Sequence, residues 1–330
     1  MNGALFWKSE HGSVRCSLCP RHCLIPEGAT GFCRVRKNAR GRLISLNYGK
    51  LCSMNADPIE KKPLFHFAPG TACLSIATVG CNLGCRFCQN WEISQSEKIV
   101  GDDFTPQQVV DTAKGMGLPG IAYTYVEPTI FYEFALDTMR LAKKAGLYNV
   151  WVTNGYTSPE AIRKMARYLD AANVDYKGGA EFYRKLCLVP DMEPIREAMK
   201  LYKEKSIWLE LTNLLIPGWN DRRKDVEEMC SWVAAELGRD TPLHLSRFFP
   251  NYKMTDTAAT PSETLDMAYG IAKKAGLHYV YVGNVPGDPR ESTHCPKCGT
   301  KVIERIGFSA GKVNKKCPKC RSRIPLAGTE

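Results

Sequence analysis

Apolar runs of strand length alternate with runs of helical spacing over most of the chain. Ala72–Val79 opens the series, and strand-like runs follow at Gly120–Thr124, Tyr148–Thr153, Ala172–Tyr176, Ile207–Leu215, Leu243–Ser246 and His278–Val282. Helical runs fall between them at Thr105–Met116, Thr129–Gly146, Ser158–Leu169, Glu193–Lys205, Asp221–Leu237 and Ser262–Gly276. Thr105 reads as a helix N-cap with Pro106 at the first helical position. Ala145-Gly146-Leu147 and Ala275-Gly276-Leu277 each read as a helix stop followed by the next strand. This alternation predicts an α/β fold with a parallel sheet and right-handed crossovers, open or closed into a barrel. Before about Phe67 the periodicity lapses, and the segment reads as a small loop-rich module.

Polar loops with Gly or Pro follow the strands. They carry Gly80-Cys81, Tyr125-Val126-Glu127-Pro128, Asn154-Gly155, Asp175-Tyr176-Lys177-Gly178, Ile216–Asp221 and Arg247–Lys253. In parallel α/β folds such loops share the rim at the C-terminal ends of the strands, where active sites gather. Turn chemistry accounts for Gly and Pro there, but poorly for the cysteines, Glu127 and Lys177.

Composition then narrows the chemistry. The 330 residues are 44% hydrophobic, as expected of a globular chain, and lack a run long enough to span a membrane. The polar stretch from Met1 to Cys16 has no apolar signal core, so a cytoplasmic location is expected. Fifteen cysteines in an unsecreted chain point to metal rather than disulfides. Eleven fall into three groups at 16–33, 81–88 and 295–320, leaving Cys52, Cys73, Cys187 and Cys230 apart. The formal charge of +11 is partly an accounting effect, because metal-bound cysteines are thiolates.

Cys81-Asn82-Leu83-Gly84-Cys85-Arg86-Phe87-Cys88 is a C-x3-C-x2-C triplet directly after an apolar strand. Three thiolates on one loop can ligate three irons of a cubane, whereas four cysteines would close it. The missing ligand leaves a position open for substrate chemistry. Phe87 is placed to shield the cluster, and Gly80 and Gly84 to let the backbone wrap it closely. The triplet, with its aromatic residue and its place in a βα series, resembles the radical S-adenosylmethionine superfamily. The resemblance implies a partial (β/α)6 TIM-like barrel, a [4Fe-4S] cluster on Cys81, Cys85 and Cys88, and S-adenosyl-L-methionine on the open iron. It also implies a low-potential electron donor such as flavodoxin or ferredoxin. Glu127-Pro128 resembles part of the loop that orders the methionyl amine, although two glycines of that loop are replaced. Asn154 matches a loop near the ribose, Asp175 and Lys177 an Asp-x-Lys element of glycyl-radical-enzyme activases, and Asn284 the strand end near adenine.

Two further groups flank this core. Cys16, Cys19, Cys23 and Cys33 form a close four-thiolate set suited to structural zinc or to a relay cluster. Cys295-x2-Cys298 and Cys317-x2-Cys320, with 18 residues between, form a zinc-ribbon signature, with a rubredoxin-like iron site as rival. The organisation is therefore an N-terminal Cys-rich module over 1–70, a radical core over 71–290 and a zinc-ribbon-like domain over 291–330. Together with Ser53–Phe67, these features resemble the radical enzymes of the AmmeMemoRadiSam system, a pyruvate formate-lyase-activating-enzyme-like group. That resemblance implies Memo-like and AMMECR1-like proteins as partners. Its implied activity is reductive cleavage of S-adenosylmethionine and hydrogen abstraction from an unidentified substrate.

Two alternatives stand beside it. The segment Pro217–Asp221 matches activases of glycyl radical enzymes. A nucleic-acid-binding scaffold or RNA-modifying enzyme is suggested by nine Lys/Arg against two Glu from Cys295 onward. Only Phe308 is aromatic there, so nucleic acid is not favoured. Glu133, Arg247, Asn251, Tyr252 and Lys253 on the rim, with His66 before it, are candidates on the substrate side.

Overall fold

The computed structural model describes residues 2–328. Its centre is one eight-stranded sheet. An edge strand, β1 (Ser53–Pro58), pairs antiparallel with β2 (Ala72–Ala77). From β2 the sheet is parallel throughout: β3 (Gly120–Tyr123), β4 (Tyr148–Thr153), β5 (Ala171–Asp175), β6 (Trp208–Leu215), β7 (Leu243–Arg247) and β8 (Val280–Gly283). Their spatial order is their chain order, with β1 and β8 at the two edges, so the sheet is an open, partial barrel. Parallel strands are buried on both faces, which is why they appear in the sequence as continuous apolar runs.

The crossover helices are α1 (Pro106–Gly115), α2 (Tyr132–Lys144), α3 (Pro159–Met165), α4 (Ala180–Leu186), α5 (Glu193–Glu204), α6 (Arg223–Trp232) and α7 (Ser262–Lys274). The Thr105 hydroxyl accepts from the Gln108 amide, and the Gln108 side chain accepts from the Thr105 amide, making a full capping box. A π-helical turn, Val233–Leu237, continues α6 and stops at Gly238, whose φ is +89°. The seven-residue α4 has no counterpart in the sequence reading. Only two turns long, it offers too few repeats for a 3.6-residue pattern.

The N-terminal segment is more ordered than its lapsed periodicity implies. It forms two three-stranded antiparallel sheets, one from Trp7–Glu10, Ser13–Cys16 and Leu24–Ile25, the other from Asn2–Gly3, Arg36–Ala39 and Arg42–Ser45. Strands of two to four residues show at most two alternations, too few to register. The boundary placed at 70 also moves, since β1 belongs to the barrel sheet.

The C-terminal domain is docked on the barrel rather than free. Phe65, Tyr279 and Tyr281 share an apolar cluster with Val302, Ile303 and Ile324. The Arg305 guanidinium lies 4.3 Å from the Phe65 ring centre and donates to the Thr293 hydroxyl and to the Phe65 carbonyl. His66 sits between the two bodies, fully buried. Its Nδ1–H donates to the Pro325 carbonyl at 2.7 Å, which leaves Nε2 to accept from the Tyr281 hydroxyl at 2.5 Å. This neutral imidazole has both nitrogens satisfied, and burial pushes its pKa down to about 4. An unfolded chain takes up that proton near pH 6.5, whereas the folded one refuses it. Stability is therefore complete above pH 6.5 and falls as pH drops toward 4. Denaturant midpoints at pH 7.5 and 4.5 are expected to reveal a loss of about 2–3 kcal/mol from this site, absent in His66→Gln.

Candidate active site at the sheet rim

The three-cysteine loop leaves β2 through Thr78-Val79-Gly80. Gly80 has φ of +101°, and a Cβ there would stand 2.8 Å from the Cys33 carbonyl oxygen. Its necessity thus comes from the N-terminal module pressing on the loop, rather than from the cofactor wrapping expected from sequence. The other side of the loop is held by the end of α4. Gly84 N–H donates to the Cys187 carbonyl at 3.0 Å and Arg86 N–H to the Leu186 carbonyl at 2.9 Å. Lys253 N–H donates to the Arg86 carbonyl at 2.9 Å, which gives that rim residue a backbone role.

Cys81, Cys85 and Cys88 thus share one anchored, largely buried loop. The Cys81 sulfur accepts from the Leu83 amide at 3.3 Å, and Cys88 lies 3.2 Å from the Ser94 hydroxyl. Burial, reinforced by the charges of Cys85 and Glu127, pushes the Cys81 thiol well up. The neighbouring Cys187 thiol, and then burial, do the same to Cys85. Burial disfavours the bare thiolates, so a bound cation is what would stabilise them in that form. Lys177 supplies positive charge nearby. Burial opposes its charge, but Asp175, at 2.6 Å from its Nζ, outweighs that and holds it protonated. Cys187, isolated in sequence, is brought beside the loop by α4, and no local signal marks it. Phe87 is buried against Phe182 at 5.6 Å, with Lys177 Nζ 5.7 Å from its ring centre.

The remaining expected cofactor residues divide. Glu127 stands beneath the rim. Only 3% exposed, its carboxylate accepts from the Thr129 amide and hydroxyl, the Thr153 hydroxyl and the Asn154 amide. Both oxygens are occupied within the protein, so Glu127 braces the β4 loop in place of presenting a free carboxylate. Asn154 is braced in turn, with Nδ2 donating to Asn82 Oδ1 at 2.9 Å and lying 3.9 Å from Cys81 Sγ. Asn284, by contrast, is exposed, with φ of +62° and Nδ2 donating to the Arg247 carbonyl.

On the substrate side, two expectations are overturned. Glu133 is buried in an ion pair with Arg36 at 2.9 Å and also accepts from the Leu5 amide. His66 is locked into the domain junction. Tyr252 keeps a rim position, its ring stacked on Trp91 at 5.0 Å, while Arg247 Nε donates to the Thr260 carbonyl. Asn251 bridges to Met254.

A cavity of about 1100 Å³ of open space, mouth included, lies between the ends of β7 and β8 and the C-terminal domain. Its walls include Gln89, one residue after Cys88, with Phe65, His244, Phe249, Asn284 and Phe308. Sequence reading missed most of these. Phe65 and Phe308 reach the cavity only because the C-terminal domain folds back on the barrel. The four cysteines of that domain converge. Cys295 and Cys320 sulfurs are 3.5 Å apart, as are those of Cys298 and Cys317, and all four lie within 4.8 Å. A tetrahedral metal with bonds of about 2.3 Å needs sulfurs about 3.8 Å apart, so this set fits one ion.

Comparison with known proteins now decides the family. Residues 75–233 match the Radical SAM superfamily, and the chain is 48% identical over 334 residues to the uncharacterized protein MJ0808 of Methanocaldococcus jannaschii, covering 99% of both. The chain belongs to the radical SAM superfamily. The ribosomal RNA large subunit methyltransferase Cfr of Staphylococcus aureus is 21% identical over 62% of this radical SAM chain and 63% of its own. Among solved structures, a radical SAM methyltransferase from Sphaerobacter thermophilus superposes with a TM-score of 0.50 at 17% identity, covering 64% of this chain and 66% of its own. SuiB of Streptococcus suis bound to S-adenosylmethionine gives 0.51 at 9% identity, over 64% and 49%. These structures share the fold. The family implies a [4Fe-4S] cluster and S-adenosylmethionine, and the three thiols on one anchored loop, Cys85 buried and Cys81 and Cys88 half-buried, fit three of the cluster's ligands. Among the described residues no helix is long and apolar enough to cross a membrane.

Proposed function

We propose that this radical SAM enzyme abstracts hydrogen from an organic or protein-borne substrate seated between the sheet rim and the C-terminal domain. The observation that carries this reading is that Gln89, one residue after Cys88, stands in the wall of the aromatic-lined cavity. When bound there, the cluster and S-adenosylmethionine supply reductive cleavage to methionine and a 5′-deoxyadenosyl radical. The chain's own residues fix the surroundings. Lys177 and Asp175 set the charge beside Cys85, Phe87 keeps water from the loop, and Glu127 holds Asn154 in place. Asn284, exposed at the cavity wall, is the candidate contact for the nucleoside end. Anaerobic reconstituted protein with dithionite should release methionine and 5′-deoxyadenosine in equal amounts. Absence of both products would overturn the reading. Phe308→Ala, at the cavity wall, should leave that basal cleavage intact and weaken its coupling to substrate.

The activase reading keeps one support, the Ile216–Asp221 turn, which is tightly built. Asn220 Oδ1 accepts from Ile216 N–H at 2.6 Å and its Nδ2 donates to the Lys177 carbonyl. A glycyl-radical EPR doublet on an added partner would favour it. Memo-like and AMMECR1-like partners and a flavodoxin or ferredoxin donor belong to the same proposal.

For the C-terminal domain the proposed ion is zinc. Cys298→Ser should remove one zinc per chain and unfold residues 291–328 before the barrel, seen as a separate low-temperature transition. The reason is that so small a domain draws much of its folding free energy from its metal, about 10–16 kcal/mol in zinc-finger peptides. The basic charge of this domain does not make it a free nucleic-acid arm, since one face is taken up by the barrel.

A further inference from the structure

The N-terminal quartet differs from the ribbon in how its thiols are arranged. Cys16, Cys19, Cys23 and Cys33 line one common pocket. Among the described residues, convergence of three or more ligand side chains within 4.8 Å is found for the ribbon cysteines alone. A tetrahedral zinc draws its four sulfurs together and leaves no cavity between them. A cubane keeps its cysteines apart around a core of iron and sulfide.

The walls fit a bulky, negatively charged inorganic group. Leu18, Ile25 and Ile130 exclude water, and Arg36 lies among the lining residues. Arg36 is 2% exposed, and its terminal nitrogens are taken by Glu133 and the Leu5 carbonyl. Its Nε–H is buried with no hydrogen-bond partner among the described residues. A buried donor left unpaired is costly, and a sulfide or thiolate sulfur at this wall would satisfy it. Cys16 and Cys33 line the same pocket as the guanidinium-bearing Arg36.

From the cavity, the thiol set and the unpaired guanidinium donor, we infer that Cys16, Cys19, Cys23 and Cys33 hold a second [4Fe-4S] cluster. Four protein ligands leave none of its irons open, so it carries electrons and binds no substrate. Its placement suits that task. Asn82, next to Cys81, lines the same cavity, and the Cys33 carbonyl packs on Gly80. Arg21 ties the module down by donating to the Asn82 and Leu188 carbonyls.

The full chain, reconstituted anaerobically, decides this through iron, labile sulfide and zinc content. The unaltered protein should hold about eight iron and eight sulfide per chain. The Cys81→Ala/Cys85→Ala/Cys88→Ala variant should keep about four of each, with a cluster EPR signal after reduction. Adding Cys16→Ala and Cys19→Ala should remove them. Sulfide is the decisive count, because rubredoxin-like iron in the ribbon would bring none. The inference is overturned if the triple variant holds no sulfide, or if it gains a second zinc beside that of the ribbon. Should the triple variant fail to fold, a sulfide content of the full chain that is unchanged by Cys16→Ala/Cys19→Ala overturns it equally. None of these outcomes depends on whether the rim site turns over S-adenosylmethionine.

Discussion

Replacement of Cys81, Cys85 and Cys88 by alanine abolishes formation of 5′-deoxyadenosine, a loss of at least about a thousandfold and limited by detection, while the barrel stays folded. Activity is expected to vanish because electron delivery needs the cluster itself, so no part of the rate survives its removal. The fold is expected to persist because the loop is anchored by backbone bonds from Gly84 and Arg86 to the end of α4, which do not involve the thiols. Removing one buried and two half-buried sulfurs costs packing, up to about 1 kcal/mol for each methyl-sized gap. Far-ultraviolet circular dichroism and the denaturation midpoint check the second half of this prediction. A single substitution of any of the three is expected to act in the same direction, since a cubane on two thiolates is poorly held.

The second large effect is on stability. Glu210, on β6, is fully buried, and its carboxylate accepts from the backbone amides of Phe65, His66 and Phe67, from Trp208 Nε1 and from His244 Nε2. Burial alone would raise its pKa, but His244, His66 and the Phe65 amide together hold it lowered. Glu210→Ala leaves five donors, four of them on buried residues, without their acceptor, which is expected to cost about 3–5 kcal/mol in denaturant unfolding. Glu210→Gln keeps the shape but turns one oxygen into a donor against those N–H groups, so it should rescue little. The same turn carries Phe65 into the cavity wall, and both variants should also loosen the C-terminal domain, seen as faster limited proteolysis near residue 291. Because the folded pKa lies below the unfolded one, the stability Glu210 provides is full above the ordinary carboxylate range and is lost as pH falls through it.

Much of the barrel is legible in the chain because its strands are buried on both faces. The observed β4 coincides with the predicted Tyr148–Thr153, and β3, β6 and β7 shift by a residue. The three-cysteine loop is legible for a different reason: its ligands are local, eight residues from end to end. What was illegible depends on distance or shortness. Cys187 reaches Cys85 only through α4, whose two turns carry no clear period. Phe65 and Phe308 meet only once the ribbon has docked. Glu127 shows the limit of reading a motif by residue type. Its position at the rim was evident, but the saturation of both oxygens by Thr129, Thr153 and Asn154 is a tertiary fact. Glu133 likewise belongs to Arg36, 97 positions away.

The account rests on the three-cysteine loop leaving one iron of its cluster free to take S-adenosylmethionine. The most direct measurement is EPR of the reduced, reconstituted full chain with and without S-adenosylmethionine, using the part of the signal that the Cys81→Ala/Cys85→Ala/Cys88→Ala variant lacks. This part is expected to change shape on addition of S-adenosylmethionine, and the signal remaining in the variant is expected not to. A signal from the three-cysteine loop that stays unchanged at saturating S-adenosylmethionine would contradict it.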